Sequence, residues 1–182
     1  MRDVCVRTGV VAALIGLTGA PAFAQQTVQL PDTSQTTTLT ASVAEQARVT
    51  VPAGVTFDVT DVTAATAATA AAVSVESIVL STATQQLRVS VQANGAAFTP
   101  PQPGATTWDA GDVSWNAASW TNATGAAGSL SNAAYSTVAT CDADTSACST
   151  TGLVFSLAAK AAVTRAGSHT LVVTWKFESI GS

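Results

Sequence analysis

Near the end of the chain every second side chain is large and apolar. Leu171, Val173, Trp175 and Phe177 face one way from an extended backbone, and Thr170, Thr174, Lys176 and Glu178 face the other, with Val172 the one apolar residue among them. A period of two predicts a strand over 168–179 with one buried face. A lone strand cannot cover four such side chains, so upstream segments must supply partner strands and a facing sheet.

The same alternation recurs upstream. Leu39, Ala41 and Val43 against Thr38, Thr40 and Ser42 predict a first strand, and Ala47, Val49 and Val51 a second that stops at the turn Pro52-Ala53-Gly54. Val55, Phe57 and Val59 against Thr56, Asp58 and Thr60 predict a third. The low-complexity run 63–72 reads as a surface loop, because threonine at every third position lowers the helix propensity of its alanines. Over 73–80 the apolar parity changes between Val75 and Ile78, which a bulge near Ser77 reconciles. Leu87, Val89 and Val91 make a clear strand ending at Asn94-Gly95. Pro100, Pro101 and Pro103 mark an irregular excursion.

Val113 and Trp115 predict the next strand, 121–128 a small-residue turn, and 130–138 an edge strand leading to a cysteine loop. Leu153, Phe155 and Leu157 belong to one penultimate strand. The pattern thus predicts an all-β chain: an antiparallel, immunoglobulin-like β-sandwich of seven to nine strands with one disulfide loop.

The first 24 residues carry a different signal. Arg2 and Arg7 lie ahead of a short apolar run over 10–18, and Pro21-Ala22-Phe23-Ala24 has small residues where a signal peptidase reads. Residues 1–24 are expected to be a signal peptide cleaved after Ala24. The run is too short to span a membrane, and Cys5 precedes it, the wrong place for a lipid anchor. Residues 25–37 then form an extended, mobile lead-in, and 38–182 a single domain.

Loss of Arg2, Arg7 and Asp3 takes seven basic and eleven acidic side chains to five and ten, a net charge of −5. Such a surface is a poor partner for nucleic acid. Charged residues make up only 10% of the chain, against roughly 25% in ordinary soluble domains. The polar faces are therefore Thr, Ser, Asn and Gln, and few ionisable groups remain for catalysis.

Cys141 and Cys148 are the two cysteines that survive cleavage, and in an exported chain they read as one disulfide. Two cysteines without a nearby His make no zinc site, and Asp142 and Asp144 between them read as a solvated acidic loop. His169 stands near a strand start with no nucleophile motif beside it. Asp109 and Asp112 sit in a Gly-containing turn, where aspartate serves turn geometry. No enzyme activity, cofactor or metal is expected. The best ligand candidates are Trp108, Asp109, Trp120 and Asn122, since sugars stack on flat indoles while carboxylates and amides bind hydroxyls; the competing role for both tryptophans is core packing.

With Val113-Ser114-Trp115 and the closing Thr170-Leu171-Val172-Val173-Thr174-Trp175 in view, the chain resembles exported bacterial β-sandwich proteins with a Thr/Ala-rich opening and a hydroxyl-rich final strand. It is also similar, faintly, to the WxL cell-wall domain. Trp115-Asn116-Ala117 and Trp175-Lys176-Phe177 lack the Leu that family places two residues after Trp, so the wall-binding motif is not intact. Strand pattern, uncharged faces and scarce catalytic groups together point to an exported, non-enzymatic structural, adhesive or surface-assembly protein in the periplasm, at the cell surface or outside the cell. Its partners would be surface polysaccharide or other surface proteins. A pilin-like form would add the 25–43 segment as a strand to a neighbour. The alternative is a carbohydrate-binding module.

Overall fold

A computed structural model describes residues 27–31 and 35–181. The expected signal peptide, its cleavage after Ala24 and Cys5 lie outside the described residues. The chain divides after Ala41 into Met1–Ala41 and Ser42–Ser182. Among the described residues no helix is long and apolar enough to cross a membrane.

The second unit is all-β. Its strands are β1 (Gln46–Thr50), β2 (Thr66–Ala67), β3 (Ala71–Val79), β4 (Gln86–Ala93), β5 (Val113–Trp115), β6 (Ala123–Gly125), β7 (Gly128–Ser129), β8 (Ser136–Cys141), β9 (Ala147–Leu153), β10 (Phe155–Leu157) and β11 (Val173–Ile180), with one short 3-10 turn at Ala110–Asp112. They form three antiparallel sheets in the orders β1-β3-β9, β2-β10-β5-β7 and β11-β4-β8-β6. The eleven strands among the described residues exceed the expected seven to nine because several are only two or three residues long.

Where one side-chain face is buried, the alternation translates directly into strand. Leu87, Val89, Val91 and Ala93 are all buried along β4, which lies between β11 and β8. The parity change in β3 is a bulge as expected. Ser77 has φ 53°, Gln46 pairs with Val79 but Arg48 with Glu76, and Val73, Val75 and Ile78 all stay buried.

Departures arise where pairing depends on distant residues. Residues 63–72 are not all loop: Thr66–Ala67 pairs with β10, because a ladder needs only backbone groups and Ala68 N–H reaches the Phe155 carbonyl at 2.8 Å. Likewise the small residues of 121–128 form β6 and β7 in place of a turn. β6 covers the outer side of β8, which makes β8 an interior strand and not the expected edge. The segment holding Leu153, Phe155 and Leu157 is two strands, because the chain changes sheet at Val154. Asn116 holds this crossing, its side chain accepting from Val154 N–H at 2.8 Å and its own N–H donating to the Val154 carbonyl at 3.2 Å.

The closing strand begins at Val173, later than 168, with Thr170 held to Thr99 by an isolated bridge. It pairs with β4 alone, from Val173↔Ala93 to Ile180↔Gln86, so it is an edge. Trp175 and Phe177 are accordingly half-buried, packed on the core but not sealed in it.

Two expected strands find no ladder at all. Leu39 and Val43 are 91% and 74% exposed, and residues 36–43 make no hydrogen bond among the described residues. Residues 55–59 keep their alternation, with Val55, Phe57 and Val59 half-buried and Thr56, Asp58 and Thr60 exposed, yet they belong to no sheet.

The core is continuous across the sheets. Val73 and Leu153, Val113, Trp115, Phe155 and Leu157, and Val91 and Val138 pack in one buried cluster. A second gathers Val75, Ile78, Leu87 and Val89 around Cys141 and Cys148, which are disulfide-bonded and join β8 to β9.

Candidate functional site

The unsheeted segment 52–59 forms one side of a groove of about 970 Å³ whose lining is apolar in part and polar in part, the latter including Thr164, Arg165, Ser168, His169 and Thr170. Leu171, Val172 and Val173 line it as well, and its floor reaches core residues, among them Trp108, Leu130, Phe155 and Leu157. Partly open to solvent and running against core side chains, the space is a groove in which a further segment could be buried. The backbone agrees. Residues 52–56 make no backbone hydrogen bond among the described residues, and Phe57 contributes only its carbonyl, to Val59 N–H at 3.1 Å.

Unpaired backbone beside an alternating apolar face is a template for one more strand. Val172 belongs to the same rim. It is the apolar residue on the polar side of the closing strand, and it is 64% exposed. The groove has no counterpart among the expectations drawn from sequence. Its two available signals were Val172 and an apolar alternation directly after a Pro-Gly turn.

The expected ligand residues differ in exposure and partners. Trp108 is 5% exposed, donates its indole N–H to the Ala158 carbonyl at 2.9 Å, and meets the rings of Phe98 and His169 edge-on. Its role here is packing on the groove floor. Asp109 binds Lys160 at 2.7 Å. Trp120 is half-buried between the two core clusters, and its indole nitrogen has no partner among the described residues. Asn122, with φ 53°, is exposed beside the cysteine loop and donates to the Ala147 carbonyl at 3.1 Å. A sugar-binding surface would therefore have to rest on Trp120 and Asn122 without Trp108.

His169 has both ring nitrogens engaged, with Thr107 Oγ1 at 2.7 Å and the Arg165 carbonyl at 3.2 Å. Asp142 and Asp144 are exposed, and no group of three or more His, Cys, Asp or Glu side chains comes together among the described residues.

Asp109 and Asp112 share the Lys160 ammonium, at 2.7 and 2.9 Å. Burial opposes ionisation of Asp112, but the Asp109 N–H and Lys160 outweigh it and hold the carboxyl below its ordinary 3.8. Lys160 is raised above 10.5, chiefly by its hydrogen bond to Asp109. A carboxyl whose folded pKa is depressed stabilises the fold fully above its unfolded value and loses that contribution as pH falls through the folded one. Urea midpoints measured from pH 6 downward should therefore fall less steeply in Asp112→Asn than in the parent. Identical acid slopes would show that Asp112 does not contribute.

Comparison with protein-family models, with curated proteins and with solved structures returns no match.

Proposed function

We propose that this chain is an exported, non-enzymatic β-sandwich protein of immunoglobulin-like type that serves in surface assembly, and that it works by taking an extended polypeptide segment into the groove beside 52–59. One observation carries this reading: a segment with the side-chain pattern of a strand and, among the described residues, no ladder partner stands beside a groove of about 970 Å³ that reaches the core. β-addition uses main-chain hydrogen bonds for affinity and alternate side-chain pockets for selectivity, and the groove offers both. The buried disulfide suits an oxidising compartment. His169 and the Asp109–Asp112–Lys160 cluster are committed to contacts within the fold.

The test is a photo-crosslinking residue at the exposed groove position Thr56, carried by the full chain in intact cells. The expected result is a protein adduct in the cell envelope or outside it, lost when Val172 on the rim becomes Asp. A cytosolic protein, or irradiation giving no protein adduct, would overturn the proposal.

A further inference from the structure

The groove beside 52–59 suits an occupant that is extended and apolar at every second position. The same chain holds one. Residues 36–43 (TTTLTASV) carry no charge and place Leu39, Ala41 and Val43 on one side, the same alternation as Val55, Phe57 and Val59. These residues are exposed, and 36–43 are unbonded among the described residues. The other alternating pair, Val28 and Leu30, is followed at once by Pro31, which cannot donate to a ladder.

Val43 cannot serve its own groove easily. Glu45 is pinned by two hydrogen bonds, from Ser81 N–H at 3.0 Å and from Ser179 Oγ at 2.7 Å. Ser179 lies four positions along β11 from Trp175 and six from Val173, both of which line the groove. At about 3.3 Å per residue these are roughly 13 and 20 Å. Val43, two residues before Glu45, has only about 7 Å of chain with which to return. Val43, the nearest of Leu39, Ala41 and Val43 to Glu45, is thus tethered too closely to fill its own groove beside Trp175, whereas a neighbour's groove can take all three together.

We infer that residues 39–43 of one copy insert as a strand into the groove beside 52–59 of a second copy, with Leu39, Ala41 and Val43 filling the space against Phe155 and Leu157. This rests on the groove being a docking site for an extended segment, and it adds that the donor is the chain itself. Donor and acceptor are different surfaces, so the contact is head-to-tail and propagates into a filament or closes into a ring.

Two variants of the full chain test this. Leu39→Asp with Val43→Asp changes only exposed side chains and disables the donor; Val55→Asp disables the acceptor. Analytical ultracentrifugation should show concentration-dependent polymers for the parent, monomers for each variant alone, and one-to-one dimers with nothing longer for their mixture. A synthetic peptide of residues 35–45 should quench the tryptophan fluorescence of the donor variant, and the same peptide with L39D should not. This arm holds even if Val55→Asp fails to fold.

A monomeric parent, or polymers in the donor variant equal to those of the parent, would overturn the inference. Assembly lost in Val55→Asp but kept in the donor variant would place the donor elsewhere in the chain and remove 39–43 from that role. Native mass spectrometry showing a small lipophilic molecule in a monomer would remove both the docking of an extended segment and the self-donor.

Discussion

Replacing Trp115 by alanine should lower the unfolding free energy by about 3–5 kcal/mol, the range for deleting a large buried aromatic. Trp115 is 3% exposed and sits on β5 between β10 and β7. Its ring meets Phe155 edge-on, with centroids 6.2 Å apart, and its indole N–H donates to the Ala126 carbonyl at 2.9 Å. Gly128 lies so close beneath that a Cβ there would come within 2.6 Å of the ring. Truncation therefore removes transfer energy, leaves a cavity walled by strands that cannot collapse, and strips a carbonyl of its donor. Against a total stability of roughly 5–15 kcal/mol, a loss of that size should move the urea midpoint strongly. Trp115→Phe should cost less, since it keeps most of the ring and loses only the indole donor and some volume. A loss under about 1 kcal/mol for the alanine variant would mean that the ring does not fill the core.

Removing the disulfide should have the next largest effect. Cys141 and Cys148 close an eight-residue loop, worth about 2.5 kcal/mol in the chain-entropy account. Both cysteines are buried, at 0% and 1% exposure, and pack with Val75, Leu87 and Val89. The paired Cys141→Ala and Cys148→Ala substitution should therefore cost about 2–4 kcal/mol, because sulfur packing is lost along with the cross-link. Alanine is the informative replacement, since serine would add two buried hydroxyls. The bond joins the end of β8 to β9, strands of different sheets, so hydrogen exchange in the variant should rise first across 141–148. An unchanged melting temperature would show that this loop is held without the bridge.

The candidate site was legible only in parts. Cys141 and Cys148 pair as their spacing suggests, and Trp108 is buried in the packing role that competed with ligand binding. Trp108 shows why composition misleads: a tryptophan beside two aspartates has the chemistry of a sugar site, but its indole N–H found Ala158 and its ring the interior. The groove was written in the sequence only as two small irregularities, Val172 among polar residues and an alternating run after a Pro-Gly turn. Neither says that the space between them is empty.

Read alone, the sequence determined the all-β character, the disulfide, the bulge at Ser77 and the inward parity of Val55, Phe57, Val59 and Trp115. These are local properties: a period of two reports which side of the backbone is apolar, and nothing more distant is required. Only the tertiary structure decided which of those faces has a neighbour. Pairing joins residues far apart in the chain, such as Val173 with Ala93 or Gln46 with Val79, and a backbone ladder asks little of the side chains it joins. The small-residue segments could therefore become strands β2, β6 and β7, while two well-patterned segments, 39–43 and 55–59, were left without strand partners among the described residues.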